Sequence, residues 1–440
     1  MIMTDQTNEM TRRALLATSA AAGLGAALGE TATAAIAGGG AGIRPLRINF
    51  SEGEVADMRR RVAATKWPDA EYVRDASQGV QQSTMQKLAR YWAGEYDFGR
   101  FAKSFTALPN FITEIDGLDI HFIHVKAKHP NAMPIIITHG WPGSVVEQLK
   151  VIGPLTDPTA YGGKAEDAFD VVIPSLPGYG HSGKPRSVGW NPPRIAKAWA
   201  TLMQRLGYTR YVAQGGDWGN AVTELMALQQ PPGLIGVSTN MPATLPPEIS
   251  KALATGSAPP PGLAGDEKYA WDQLHTFYTK GLAYAQEMGL RPQTLYGIAD
   301  SPVGLAAWIL DHDWQSYDLI VRVFDGKSEG LTRDDILDNI SYYWLTNTAI
   351  SSARLYWETT FAAKPGDGGF FDVRGVKLPM VVTVFKHEIY AAPKSWAEKA
   401  YPNMLLYSRH DIGTHFAAWE QPALLVKDLR DGFRKLRHAA

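Results

Sequence analysis

One seven-residue segment, Gln214-Gly215-Gly216-Asp217-Trp218-Gly219-Asn220, constrains this chain more than any other. It joins a strand-like run, Tyr208 to Ala213, to a helical stretch, Asn220 to Gln229. Small residues two before and two after a central reactive residue are what a tight strand-to-helix elbow requires, because side chains there would collide. The usual centre of such an elbow is Ser. Here it is Asp217; the chain's single G-x-S-x-G, Gly326 to Gly330, lies in a stretch without β-runs, so a serine esterase has no candidate elbow. An aspartate so placed attacks an sp³ carbon by in-line displacement and becomes an alkyl ester, which water can hydrolyse at the aspartate's own carbonyl. The competing reading is an Asx-type turn in which Asp217 merely caps the following helix.

Around the elbow, strand-like runs recur at Asp119 to Val125, Ile135 to Thr138, Asp170 to Ile173, Leu234 to Thr239, Met380 to Phe385 and Met404 to Tyr407. Helical stretches such as Pro193 to Leu206 separate several of them, the layout of a parallel sheet with crossovers. Residues 241 to about 370 carry no β-run; they are helical in pattern and rich in Pro, Tyr and Trp. A helical block inserted into an α/β sheet predicts a lid over a catalytic face. At the other end, Ser51-Glu52-Gly53-Glu54 reads as a capping box opening a helix that stops before Pro68. Residues 45–110 hold more helical, aromatic material and no reactive cluster, so they read as a packing extension. An amphipathic helix from about Gln421 to Arg437 closes the chain.

Two further motifs can converge on the elbow. His139-Gly140-Trp141-Pro142-Gly143-Ser144 follows the apolar run Pro134 to Thr138. A turn at that strand end can aim the Trp141 N–H at the elbow, and with the Trp218 N–H it would form an oxyanion hole for ester hydrolysis. His139 itself reads as a residue that orders this loop rather than as the base. His415, between the last strand and the last helix, can reach the elbow as base, and an acid should then follow the strand Met380 to Phe385. Glu388 stands there, to orient the imidazole and stabilise its charged form; Asp411 is the competitor. His387 and His410 read as surface or loop residues. Gly178 to Gly183 matches G-x-G-x-x-G, but Lys184-Pro185-Arg186 follows where a helix would have to start, so it is a loop and not a phosphate site.

Taken together these residues resemble the microsomal-type epoxide hydrolases, an α/β-hydrolase family with an N-terminal extension. The likeness runs from about Ile43 to the C-terminal helix. It rests on HGWPGS at His139–Ser144, PSLPGYG at Pro174–Gly180, QGGDWG at Gln214–Gly219, DSPVGLAAW at Asp300–Trp308 and THFAAWEQP at Thr414–Pro422. The resemblance implies an α/β-hydrolase fold: a mostly parallel central sheet with a helical lid insertion and an N-terminal helical extension. It implies Asp217 as nucleophile, Glu388 as acid and His415 as base. It also implies two lid tyrosines, Tyr284 and Tyr356, that donate hydrogen bonds to the epoxide oxygen, a role composition could not single out among 18 tyrosines. The chain departs from the family at His181, where an aromatic residue is more usual, and in the Arg291–Ser301 segment, which is one residue short. Two alternatives stay open. A haloalkane dehalogenase shares an Asp-Trp elbow but usually has Asn where this chain has Trp141, and a hydrolase-fold binding protein would keep the pocket without turnover.

The expected division is 1–37 as signal, 38–110 as extension packing on the core, 111–240 as first core part, 241–375 as lid and 376–440 as second core part. Arg12-Arg13 precedes a mild apolar run from Ala14 to Gly29, followed by A-x-A sites at Ala32–Ala34 and Ala35–Ala37, the pattern of a twin-arginine export signal. Export to the periplasm is the expectation, a retained cytoplasmic extension the alternative. The balance of 43 Lys+Arg against 44 Asp+Glu carries no nucleic-acid footprint, and removing residues 1–37 leaves no basic patch for a membrane. The absence of cysteine excludes thiolate nucleophiles, Fe–S clusters and cysteine zinc sites. No cofactor or metal is expected; the partner is a small-molecule epoxide, with a homo-oligomer possible. Thirteen Trp and 18 Tyr predict aromatic-lined pockets.

Overall fold

Nine strands, β1 (Arg44–Pro45), β2 (Asn110–Ile115), β3 (Leu118–Val125), β4 (Met133–Thr138), β5 (Phe169–Pro174), β6 (Tyr211–Gly215), β7 (Leu234–Thr239), β8 (Met380–Phe385) and β9 (Met404–His410), form one sheet. Their order is β1-β2-β3-β5-β4-β6-β7-β8-β9. This is a computed structural model, and it describes residues 42–327, 329–363 and 368–437. The proposed export segment therefore lies outside the described residues. From β5 to β9 every pairing is parallel, and β1, β2 and β3 add antiparallel strands at one edge. Strands β5, β6 and β8 are buried along their whole length, as expected of apolar runs covered by helices on both faces.

The chain order reverses around β4, which lies between β5 and β6. In open α/β sheets such a switch point leaves a crevice beyond the carboxyl ends of the strands. The loop after β4 carries His139 to Ser144, and the turn after β6 carries Asp217. The sheet topology alone brings these two motifs together.

The strand and helix expectations hold to within a few residues, with Pro192–Arg205, Trp218–Gln229 and Pro422–Arg437 as helices. Two strands were not expected. β1 is two residues long, and β2 pairs with β3 across Asp116 and Gly117, both at positive φ, the two-residue turn that an Asp-Gly pair favours. The capping box at Ser51 is half formed: its hydroxyl accepts from the Glu54 N–H at 3.4 Å. Glu54 is exposed, and water can serve the other donor.

Between β7 and β8 the chain is helical from Pro247–Thr255 to Ala349–Ala362. This block is pinned over the catalytic edge. Tyr343 donates to the Gly143 carbonyl at 2.6 Å, Asn339 to the Pro142 carbonyl at 2.9 Å and Ser351 to the Gly178 carbonyl at 2.6 Å. Gly178 and Gly180 adopt positive φ in a loop held by lid and sheet, with no helix following.

The extension, helices Glu52–Ala63, Gln82–Gly94 and Phe98–Thr106, was expected to pack on the core. Its β1 joins the sheet edge and Phe105 meets His121 of β3 at 6.5 Å between ring centres, while its buried polar anchors go to the lid. Trp92 Nε1 donates to Ser341 Oγ at 3.0 Å, the Tyr96 hydroxyl to Asp338 at 2.7 Å, and Arg100 to both Asp338 oxygens at 2.6 and 2.8 Å. The physical reason is that Arg333–Leu345 presents a face of Asp338 and Ser341 that only partners from outside the sheet can satisfy. His181 lies edge-on to Tyr342 in the same aromatic layer, at 5.5 Å between ring centres.

Candidate active site

Asp217 has φ 53° and ψ −129°, a conformation that costs a non-glycine residue about 1–3 kcal/mol. The turn closes because side chains are missing around it. A Cβ on Gly215 would lie 2.1 Å from the Gly219 carbonyl oxygen, and one on Gly219 would lie 1.9 Å from that of Thr138. The result is a buried carboxylate projecting from the end of β6. Its Oδ1 accepts from the Trp141 N–H at 2.8 Å. Gly140 makes that approach possible, since a Cβ there would stand 2.3 Å from Oδ1. The Trp218 N–H, the first of its helix, has no intrahelical acceptor, and among the described residues it makes no bond to the carboxylate. One half of the expected oxyanion hole is thus engaged.

His139 orders the loop. Its Nδ1 is 2.9 Å from the Gly140 carbonyl and its Nε2 accepts from the Leu176 N–H at 3.1 Å. Burial pushes its pKa down to about 4, so it is neutral and committed to structure.

His415 Nδ1 lies 2.6 Å from Glu388 Oε1, and His415 Nε2 lies 3.9 Å from Asp217 Oδ2. Glu388 Oε1 also accepts from the Ile389 N–H at 2.8 Å, which fixes the carboxylate. Asp411 is exposed and makes no such contact; the loop after β8, not the one after β9, supplies the acid. His410 pairs with Asp428 at 2.8 Å, away from the triad, and His387 is half-buried. Burial works against the His415 imidazolium, but Glu388, Asp217 and Asp313 outweigh it and push the pKa up to about 10. Asp217, whose Oδ2 lies 3.9 Å from the imidazole, is thus one of the charges that hold its proton. Esterifying Asp217 would remove one of the charges holding that proton, so His415 becomes a better base only after the ester has formed.

Tyr284 on Ala283–Leu290 and Tyr356 on Ala349–Ala362 face this carboxylate from the lid. Tyr284 stacks on Trp141 at 5.1 Å, Tyr356 meets the Trp218 ring edge-on at 4.8 Å, and the two phenol rings are 5.9 Å apart. Burial raises both phenols well above the ordinary value, and the Asp217 charge adds to the effect. Both therefore stay protonated and can donate hydrogen bonds. A cavity of about 470 Å³ opens on Asp217, Tyr284 and Tyr356, walled by Trp218, Phe277 and Phe370.

Comparison with known proteins agrees with this geometry. Residues 43–148 match the family described as Epoxide hydrolase N terminus, and residues 133–275 match the alpha/beta hydrolase fold. A chain from Stigmatella aurantiaca (strain DW4/3-1) is 48 % identical over 400 residues, covering 90 % of this chain and 86 % of the relative. Epoxide hydrolase 1 of Oryctolagus cuniculus is 33 % identical, covering 88 % of each chain. The chain belongs to the epoxide hydrolase family. Among solved structures, the juvenile hormone epoxide hydrolase of the silkworm Bombyx mori superposes with a TM-score of 0.78 at 30 % identity, covering 91 % of this chain and 96 % of that one.

Two residues of this epoxide hydrolase site escaped sequence reasoning. Glu147, on the short helical turn Val145–Gln148, is buried behind the His139 loop, where Gln148 Nε2 donates to it at 2.7 Å. Burial pushes its pKa up to about 8, so it is a neutral acid at pH 7. His312, at the start of the turn into Trp314–Phe324, stands with its ring 4.5 Å from that of His415 and 5.0 Å from that of Tyr284. Asp217, His312 and His415 each bring one donor atom within 4.8 Å of the others, the one group among the described residues with the spacing of a metal site. Sequence signals were weak in both cases. A Glu in an apolar turn has no periodic partner, and only the Asp313 cap position hints that His312 precedes a helix.

Proposed function

We propose that this chain adds water to an epoxide to give a vicinal diol, through an ester on Asp217. One observation carries the reading: a strained, buried aspartate held by a loop N–H faces two buried phenols across an aromatic cavity. Asp217 Oδ2 attacks an epoxide carbon in line while Tyr284 and Tyr356 stabilise the departing oxygen, one of them giving up its proton. Once the ester has formed, His415 sheds its proton to solvent; water then attacks the ester carbonyl and loses a proton to the neutral imidazole, whose charge Glu388 stabilises. The oxyanion forms on Oδ1 against the Trp141 N–H. Collapse breaks the bond to Oδ2, and His415 returns its proton to the leaving diol oxygen. The remaining carboxyl proton restores the phenol, and His415 regains its own proton from solvent beside the freed Asp217 carboxylate, so the cycle closes with no cofactor.

The cavity walls suit an aryl or similarly apolar epoxide, consistent with a role in aromatic hydrocarbon breakdown or detoxification. The paired arginines and A-x-A sites support export of the folded enzyme to the periplasm. Replacing Arg12 and Arg13 together by Lys should keep the protein in the cytoplasm; unchanged periplasmic recovery would reject this signal. Trp218 Nε1 is buried without a hydrogen-bond partner, which is the one feature that favours a halide-holding dehalogenase.

The deciding experiment is intact mass spectrometry of His415→Gln after exposure to a panel of aryl and alkyl epoxides and haloalkanes. A whole-epoxide adduct mapped to Asp217 is the expected result. An adduct that has lost halide would transfer the chain to the dehalogenase reading, and no adduct across the panel would reject the ester mechanism for these substrates.

A further inference from the structure

The reaction proposed above leaves the hydrolytic water with a single protein partner, His415, although a water held by one hydrogen bond is poorly oriented for attack. His312 is almost fully buried, at 1 % exposure, and no residue given a role so far explains it. Its Nδ1 is 3.0 Å from Asp313 Oδ2. Asp313 is itself fixed, because its Oδ1 accepts the Ser316 N–H at 2.8 Å as the cap of Trp314–Phe324. With the Nδ1 proton committed to this carboxylate, Nε2 is left as the acceptor of the ring. That atom is buried and has no hydrogen-bond partner, a condition that calls for an unseen donor.

The spacing identifies the donor. A carboxylate oxygen of Asp217 and one ring nitrogen each of His312 and His415 lie within 4.8 Å of one another. Three atoms no further apart than that leave a point within about 2.8 Å of all three, the reach of a hydrogen bond to water. A second cavity, of about 680 Å³, opens on His312 and Glu388. Its lining includes Gln273, Lys280, Asp311, His312, Asp313 and Glu388, whereas Phe277 and Ile389 line both this cavity and the substrate cavity. One cavity is suited to an apolar substrate, and the other to water.

We propose that His312 is a further catalytic residue, which binds the hydrolytic water through Nε2 and, with His415, orients it towards the Asp217 ester. This rests on the ester mechanism above. One hydrogen of the water points to His415 Nε2 and is transferred as the oxygen bonds to the Asp217 carbonyl carbon. The other points to His312 Nε2 and stays on the new carboxyl group until the phenolate of the lid recovers it. His312, with its ring 5.0 Å from that of Tyr284, lies on the way.

The test separates the two half-reactions by rapid mixing with an epoxide that alkylates the wild type. His312→Leu should form the Asp217 ester at a rate close to wild type and hydrolyse it about 10²-fold more slowly, so the ester accumulates and is seen by mass. Asp313→Asn keeps the helix cap but offers an N–H to His312 Nδ1, which turns Nε2 into a donor; it should reproduce the defect. His312→Gln, which retains an acceptor, should recover part of the hydrolysis rate. Unchanged ester hydrolysis in His312→Leu would overturn the proposal. So would an equal fall of both steps in His312→Leu and Asp313→Asn, the mark of a packing role. Failure of the wild type and His415→Gln to form any ester would instead reject the underlying mechanism.

Discussion

The sheet-borne and lid-borne halves of this site differ in how their groups are held. Asp217, Glu388 and His415 sit on turns at the carboxyl ends of parallel strands, where backbone geometry aims the side chain. Asp217 is fixed by positive φ and by the absence of a Cβ at Gly215 and Gly219, and Glu388 by the amide of its neighbour. Tyr284, Tyr356 and His312 come from helices and a helix-entry turn, and they are placed by packing of rings on Trp141, Trp218 and one another. The difference matches the chemistry. Covalent attack tolerates little misplacement, whereas a phenol or an acceptor for water works over a broader range. It also leaves the lid free to reshape the cavity without disturbing the nucleophile.

The largest expected effect strikes the sheet-borne half. Asp217→Ala should abolish the ester and lower turnover by at least about 10⁴-fold, with the fold retained, since a Cβ is already accommodated there. Turnover within tenfold of wild type, measured as diol formation, would make the elbow a mere cap. The lid-borne half should degrade in steps. Tyr284→Phe and Tyr356→Phe should each slow ester formation about tenfold or more, and the double variant by up to about 10⁴-fold, read as the single-turnover alkylation rate. Equal loss from each single variant and from the pair would show that the two phenols act as one unit rather than as interchangeable donors.

The same contrast governs what the sequence could disclose. The elbow was legible because a steric rule fixes which residues can flank Asp217, and Glu388 and His415 followed from strand ends that read as apolar runs. Strand β2 was missed because Asn110–Ile115 alternates polar and apolar residues weakly, although Asp116-Gly117 marks the turn that pairs it with β3. The tyrosines came only from resemblance, because lid helices of this kind have aromatic residues on several faces and no local rule separates a reactive phenol from a packed one. His312 and Glu147 were invisible for the same reason. Their roles depend on which distant elements they meet, and burial of a polar side chain is a tertiary property. The lid anchors of the extension were hidden likewise, since Asp338 and Ser341 look like ordinary helix-surface residues until Arg100, Tyr96 and Trp92 cover them.

Glu147 offers the finest test of the comparison, because it lies in the sheet-borne half without belonging to the reacting set. Burial holds its pKa at about 8, against an ordinary value of 4.5. Between those two pH values the folded state keeps a proton that the unfolded chain releases, so this group makes stability fall as pH rises through that window. Glu147→Gln keeps the shape and neutrality of the native acid and removes the titration. The variant should match the wild type in melting temperature near pH 4.5 and exceed it by a few degrees near pH 8, with turnover at pH 7 changing little. Melting curves at several pH values would settle the point. A gap that stays constant with pH would mean that Glu147 is ionised in the folded state, and its charge would then have to be counted beside Glu388 among the groups that hold the proton on His415.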